Sequence, residues 1–142
     1  MLSGTAASAT PGTTFWAVAD HLGSVRDLVD NNGITRQHLV FDSFGRRLSE
    51  VDHDASGSVI ASTSAAAVDT IFGYTGREWD KDTSLQNNRA RWYDPTTGRW
   101  LSQDPIGFGG GDPNLYRMAG NHPTYATDPS GMVENDGVPG GT

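Results

Sequence analysis

The chain has 142 residues, a formal net charge of −7, no cysteine and 35% apolar residues. The lack of cysteine excludes disulfides and thiolate metal sites, and the negative charge argues against nucleic acids and anionic membranes as partners. With 18 glycines and 7 prolines, the composition predicts one mainly β domain of short strands and many turns, which would bury its faces against a partner or further copies of itself.

The chain starts with "MLSGTAASATPGTT", a stretch of small and polar residues. These residues 1–14 are predicted to form a mobile N-terminal arm. They lack the basic start and apolar core of a secretion signal, and no apolar run approaches the roughly 18 residues of a membrane span. The sequence alone therefore leaves the cellular location unknown.

Residues 14–45 predict an antiparallel β-hairpin. Apolar residues of the two strands flank the turn sequence Asn31-Asn32-Gly33, and Asn and Gly accept the positive φ angles that a tight turn requires.

Residues 52–69 are rich in Ala and Ser without periodicity, and they are predicted to form a long loop. Strands are expected at Thr70–Tyr74 and Leu85–Tyr93, and one short helical turn at Asn114–Gly120. The polar, glycine-rich residues 133–142 are predicted to form a flexible C-terminal tail.

One motif occurs twice, as "FDSFGRRLSE" from Phe41 and as "YDPTTGRWLSQ" from Tyr93. Each copy has an aromatic residue, an Asp that can accept turn amides, a Gly for a left-handed position, and an Arg that begins the next strand. Two such matches favour a repeated hairpin unit over two unrelated hairpins. The predicted turn residues are Asp42, Gly45, Arg46, Asp94, Gly98 and Arg99.

Asp-Pro-x-Gly also occurs twice, at Asp104 and at Asp128. Most such sequences are ordinary turns whose Asp caps backbone amides. Two carboxylates that lie close together, however, cannot both ionise cheaply, so that one becomes an acid and the other a base. The sequence does not say which Asp would take which role.

These motifs together resemble the Rhs and tyrosine–aspartate repeat proteins, and in particular their repeat-associated core domain. The resemblance covers residues 15–132 in one collinear order, through "DHLGSVRDLVD", "FDSFGRRLSE", the long run from Phe72 to Gly107, "NLYR" and "DPSGM". It implies a β-shell segment built of antiparallel hairpins that closes the shell around a toxic C-terminal segment.

The resemblance also implies a self-cleaving aspartic protease. Its catalytic positions would be Arg91, Asp104 and Asp128, and the cut would separate Met132 from Val133. Arg91 would hold one Asp ionised or stabilise the oxyanion. Here Met132 stands where the family usually has Leu, a residue of similar volume. The family precedent further implies export by a dedicated system.

Other functions stay open at this stage. The alternative of another class is a non-catalytic structural protein that self-assembles through its sheet edges into an oligomer or filament, with other YD repeats or copies of itself as partners. A third possibility is a degenerate fragment of a longer protein. No cofactor or metal is predicted, because the four histidines, His21, His38, His53 and His122, lack ligand spacing.

Overall fold

The computed structural model describes residues 13–110 and 113–132. The chain divides into two compact units. Of the described residues, the first unit holds 13–42 and 47–76, and the second holds 43–46 and 77–132 without the two residues 111 and 112. The predicted tail and most of the predicted N-terminal arm lie outside the described residues. No helix in the described part of the chain is long and apolar enough to cross a membrane.

The first unit is a five-stranded antiparallel sheet in which each strand pairs with the next along the chain. A short 3-10 turn, Tyr74–Gly76, follows it. The strands are β1 (Phe15–Ala19), β2 (Val25–Asp30), β3 (Thr35–Phe41), β4 (Arg47–His53) and β5 (Val59–Ile60).

The predicted hairpin is confirmed: β2 and β3 pair across the turn that follows Asp30. The Asp30 carboxylate accepts the N–H groups of Asn32 and Ile34 at 2.9 and 3.0 Å, and Gly33 has a φ of +78°. The side chain therefore replaces the backbone partners that the turn amides lack. The turns that begin at Asp20 and Asp54 use the same pair of contacts.

The core of the first unit combines apolar and polar side chains. Leu28 on β2 and Leu39 on β3 are buried. The buried side-chain amide of Gln37 donates to Asp52 at 3.2 Å and to Asp69 at 3.0 Å, and its oxygen accepts the N–H of Thr70. A chain with few apolar residues thus fills part of its interior with hydrogen-bonded polar groups, which need such partners when buried.

The predicted long loop is wrong for its first part. Residues 52 and 53 complete β4, and β5 pairs with them after the turn at Asp54. The Asp54 carboxylate stabilises this turn by accepting the N–H groups of Ser56 and Ser58, a turn that the Ala/Ser-rich composition did not indicate. Thr70–Tyr74 is also not a strand. Its last residue begins the 3-10 turn Tyr74–Gly76, in which the N–H of Gly76 donates to the Gly73 carbonyl at 3.0 Å.

The second unit contains a four-stranded antiparallel sheet of short strands, again paired in chain order. Gln86, Tyr93 and Trp100 stand opposite one another in register and form its buried row. The strands are β6 (Glu78–Asp80), β7 (Leu85–Asn87), β8 (Trp92–Asp94) and β9 (Arg99–Trp100).

The strand predicted over Leu85–Tyr93 is interrupted. Residues 88–91 leave the sheet between β7 and β8, and the N–H of Asn88 donates to the Arg91 carbonyl at 3.0 Å. Arg89 has a φ of +66°, which tightens this loop. As a result Arg91 lies in a loop with its side chain buried, and not on a regular strand.

The predicted helical turn over Asn114–Gly120 is shifted. The structure has 3-10 turns at Gly107–Gly110 and Ala119–Asn121, and residues 114–118 form an irregular turn in which Asn114 accepts the N–H of Tyr116. Ala119, Gly120 and Asn121 all have positive φ, a conformation that an ordinary right-handed helical turn does not contain.

Leu39→Ala should lower the free energy of unfolding of the first unit by about 2–5 kcal/mol, because Leu39 is 1% exposed and its loss leaves a cavity. The measurement is urea denaturation. Leu48→Ala is the matched control on β4, where the side chain is 55% exposed, and its effect should stay within about 0.5 kcal/mol. Similar effects of the two substitutions would contradict this assignment of the core.

Candidate functional site

The three side chains predicted to be catalytic meet in the second unit. Arg91 comes from the loop between β7 and β8, Asp104 follows β9, and Asp128 begins a turn near the end of the described chain. Arg91 and Asp128 are buried, and Asp104 is partly exposed. The three segments are far apart in sequence, so only the folded chain creates the cluster.

Arg91 makes the central contacts of this cluster. Its Nη2 lies 3.3 Å from Oδ2 of Asp128 and 3.8 Å from Oδ2 of Asp104. Its Nε donates to the Gly131 carbonyl and its Nη1 donates to the Leu115 carbonyl at 3.1 Å. One guanidinium therefore holds both carboxylates and two backbone segments, a use that its planar set of donors permits.

An aromatic ring covers the same guanidinium. The Cζ of Arg91 lies 4.1 Å from the ring centroid of Trp100, which is buried on β9. This contact is a cation–π interaction. Burial lowers the pKa of Arg91 from its ordinary value, and the nearby charges of Asp104 and Asp128 act in the opposite direction.

Asp128 contacts the residue at the predicted cut. Its Oδ1 accepts the N–H of Met132 at 3.1 Å and lies 3.5 Å from the Ser130 hydroxyl. The Asp128 carboxylate is therefore fixed on both sides, by Arg91 at one oxygen and by the Met132 amide at the other. Val133 lies outside the described residues.

Asp104 is held by a similar turn. Its Oδ1 accepts the N–H of Ile106 at 3.0 Å, and its own N–H donates to the Leu115 carbonyl at 3.0 Å. The Leu115 carbonyl thus accepts hydrogen bonds from the main-chain N–H of Asp104 and from the guanidinium of Arg91, and it links the two residues. Asp104 is the more accessible acid, with 17% of its side chain exposed against 5% for Asp128.

Gly131 is required where the C-terminal turn approaches the loop 88–91. Its φ is +73°, and a Cβ at this position would lie 2.7 Å from the Asn88 carbonyl oxygen and 3.0 Å from the Arg91 nitrogen. Neither atom belongs to a flexible side chain, so no larger residue fits without moving the backbone. The glycine of Asp-Pro-Ser-Gly thereby brings Asp128 and Met132 against Arg91.

Two buried residues of this site are absent from the sequence prediction. Asn88 donates to the Asp128 carbonyl at 3.0 Å, and Gln86 donates to the Asn88 side chain at 2.9 Å. The only available signal is the polar run "LQNNRARW" in a segment predicted as a strand. Polar residues at inward strand positions need hydrogen-bond partners, but which residues serve as partners depends on the tertiary fold.

The first predicted turn of the repeated motif lies between β3 and β4. Asp42 directly follows β3, Arg46 directly precedes β4, and Gly45 between them has a φ of +91°. The second lies between β8 and β9. There Asp94 accepts the N–H of Thr96 at 2.8 Å, and Gly98 has a φ of +69° and precedes Arg99, the first residue of β9.

No group of three or more His, Asp or Glu residues in the described part of the chain could hold a metal ion. Of the histidines, His38 lies 2.6 Å from the Asp27 carboxylate across β2 and β3, and His122 stacks on Tyr125.

Comparison with known proteins finds a family model and relatives that each match most of this chain. A family model described as the teneurin YD-shell matches residues 6–124. The toxin protein Tse5 of Pseudomonas aeruginosa is 36% identical over 114 residues, which make up 80% of this chain and 8% of that protein. The toxin subunit YenC1 of Yersinia entomophaga is 36% identical over 106 residues, 72% of this chain and 11% of that protein.

Solved structures show the same likeness. The crystal structure of TcdB2-TccC3-Cdc42 matches with a TM-score of 0.74 and 29% identity, covering 92% of this chain and 6% of that one. This chain therefore spans only a small part of the length of these relatives.

Gly131→Ala should destabilise the second unit by roughly 3 kcal/mol or more, because backbone crowding adds to the cost of a positive φ. Gly107→Ala is the matched control: its φ is +58°, but nothing lies within 4 Å of the added Cβ, and it should cost about 1–2 kcal/mol. Urea denaturation measures both. Equal losses would show that Gly131 does not pack closely against the loop 88–91.

Proposed function

We propose that this chain, which belongs to the Rhs/YD-repeat family, closes a toxin-associated β-shell and cleaves its own backbone after Met132. The observation that carries the proposal is the position of Arg91. Its guanidinium lies within 4 Å of both Asp104 and Asp128 and also holds the Gly131 carbonyl, one residue before the bond to be cut.

The placement of Met132 supports the choice of bond. Its amide nitrogen is 3.1 Å from Oδ1 of Asp128, and its carbonyl carbon is only two covalent bonds beyond that nitrogen. The bond to be cut is therefore tethered beside a catalytic carboxylate. Such tethering replaces a bimolecular encounter with an intramolecular one, so that even a modest catalyst acts at a high effective concentration.

The reaction requires one water and one proton shared by the carboxylate pair. The ionised Asp takes a proton from the water, whose oxygen forms a bond to the Met132 carbonyl carbon. The protonated Asp gives its proton to the Val133 nitrogen as the C–N bond breaks. The products are a carboxylic acid at Met132 and an amine at Val133, and the pair has exchanged its proton.

Arg91 would contribute electrostatically. Negative charge develops on the Met132 carbonyl oxygen as the water attacks, and a fixed cation in a buried site stabilises such a charge more strongly than it would in water. The Trp100 ring and the surrounding turns exclude solvent from the guanidinium, which strengthens this effect.

The family also suggests the role of the cut. The relatives named above are toxins or toxin subunits, and this chain matches only a small part of each. A cut after Met132, beyond the end of the family-model match at residue 124, would separate a shell from whatever follows it. We therefore propose that the partners of the chain are further YD repeats and a C-terminal cargo segment.

Asp128→Asn and Asp104→Asn should each abolish the cut, because each removes one carboxylate that must carry a proton. Intact mass spectrometry of freshly purified protein measures this: the wild type should give a chain that ends at Met132, and both variants should stay uncut. Asp94→Asn is the matched control, since Asp94 also precedes a Pro and caps a turn, whereas the ion pairs of Arg91 are made with Asp104 and Asp128.

Two results would contradict the protease proposal. One is a wild-type chain that keeps the bond between Met132 and Val133. The other is an Asp128→Asn chain that is cut at the wild-type rate, which would point to a contaminating protease.

A specific observation also favours the structural alternative, self-assembly through a sheet edge. β1 is the edge of the five-stranded sheet among the described residues, and it exposes Trp16 and Val18 by 63% and 48%. An exposed apolar edge strand is a template for pairing with another chain. In a longer protein this edge would instead pair with a neighbouring repeat.

If the edge does associate, Val18→Lys should reduce the size of particles seen by light scattering at high protein concentration, because a charge on an edge strand opposes pairing. Val59→Lys on β5 is the comparison, since that residue is 71% exposed at the opposite edge. Monodisperse monomers in the unchanged protein would rule this alternative out.

A further inference from the structure

Two buried side-chain amides lie beside the proposed catalytic cluster. Gln86 on β7 is 1% exposed and Asn88 in the following loop is 4% exposed. Buried amides are costly unless each is hydrogen-bonded, and apolar residues would fill the same space more simply. Two buried amides beside the cluster therefore indicate that their hydrogen bonds have a function there.

The amides form a chain of hydrogen bonds with a fixed direction. Asn88 Nδ2 donates to the Asp128 carbonyl at 3.0 Å. The amide oxygen of Asn88 consequently faces Gln86, whose Nε2 donates to it at 2.9 Å. Gln86 thus sets the orientation of Asn88, because only a donor at position 86 leaves the Asn88 N–H group pointing at Asp128.

The loop 88–91 donates three hydrogen bonds to main-chain carbonyls of the C-terminal turn, in addition to the bond from Arg91 to the Asp128 carboxylate. Asn88 donates to the carbonyl of Asp128, the Ala90 N–H donates to that of Ser130 at 3.1 Å, and Arg91 donates to that of Gly131. Three carbonyls within four residues are held by one short loop. Of these three bonds to carbonyls, the Asn88 bond holds the main chain of the residue that bears the carboxylate.

We propose that Asn88, oriented by Gln86, is a positioning residue for the self-cleavage, an inference that rests on the proposed function. It fixes the main chain of Asp128. The carboxylate is then held so that Oδ2 meets Arg91 and Oδ1 meets the Met132 amide. Asn88 acts through Asp128, since its amide donates to the main-chain carbonyl of that residue at 3.0 Å.

Gln86→Glu tests the direction of the chain of bonds. An ionised carboxylate at position 86 has no donor, so the Asn88 amide turns its N–H toward the introduced carboxylate and its oxygen toward the Asp128 carbonyl. Two acceptors then face each other and the turn shifts. We expect the cleavage rate, followed by intact mass after rapid purification, to fall on the order of 100-fold near pH 8.

The pH dependence separates positioning from general destabilisation. As the pH is lowered from about 8 to about 5, the introduced carboxylate gains a proton and with it an O–H donor, because burial favours its neutral form. The rate of the variant relative to the wild type should therefore rise toward acid. Asn87→Asp is the control on the half-exposed neighbour, and its relative rate should stay flat with pH.

A second readout keeps this inference separate from the protease proposal. In the Asp104→Asn background the bond should stay intact, and hydrogen exchange at the Met132 amide reports its contact with Asp128. Compared with Asp104→Asn alone, the added Gln86→Glu substitution should make that exchange about tenfold faster or more near pH 8. The ratio of the two exchange rates should be smaller at acid pH.

Each outcome bears on one of the two proposals. Unchanged exchange at Met132, or an unchanged cleavage rate in Gln86→Glu at every pH, overturns the positioning role. A wild-type chain that is never cut overturns the protease proposal instead, and the exchange measurement then still shows whether Gln86 and Asn88 hold the Asp128 turn.

Discussion

The second unit depends on the burial of one guanidinium. Arg91 accounts for the meeting of three segments, since it contacts the carbonyls of Leu115 and Gly131 and the carboxylates of Asp104 and Asp128. A buried carboxylate that loses its cation costs a protein about 3–5 kcal/mol. Arg91 therefore contributes to the stability of the second unit as well as to the arrangement of the candidate site.

Both units solve a shortage of apolar residues by the same means. The short strands offer little surface to bury, so much of the local order comes from Asp side chains that cap their own turns, as at Asp30, Asp54 and Asp94. Each cap satisfies amides that a tight turn leaves unpaired. At Asp104 and Asp128 the same local device also brings a carboxylate to Arg91. The candidate site is thus built from the same Asp-capped turns that the chain uses elsewhere, with two of their carboxylates placed beside Arg91.

This relation explains what the sequence could predict. The hairpin around Gly33 follows from local chemistry, because Asp, Asn and Gly determine the turn without help from distant residues. The residues of the candidate cluster came from a family resemblance, and local rules alone favoured plain turns at Asp104 and Asp128. The break of the strand at residues 88–91 depends on the Gly131 carbonyl and on Asp128, both about 40 positions away. Local propensity carries no information about such partners.

The same contacts suggest why the proposed reaction would occur only once. Arg91 and Asp128 hold the Gly131 carbonyl and the Met132 amide, both on the N-terminal side of the bond to be cut. The cut would therefore leave that side bound in the site and free only the chain that follows. The new carboxylate at Met132 would stand near Asp104 and Asp128, whose shared proton leaves the pair one negative charge, so that a single guanidinium would offset two negative charges. The new chain end would keep the place that a second peptide would need, because Arg91 and Asp128 still hold the residues on either side of the Gly131–Met132 bond. The site is therefore suited to one turnover and not to a second substrate.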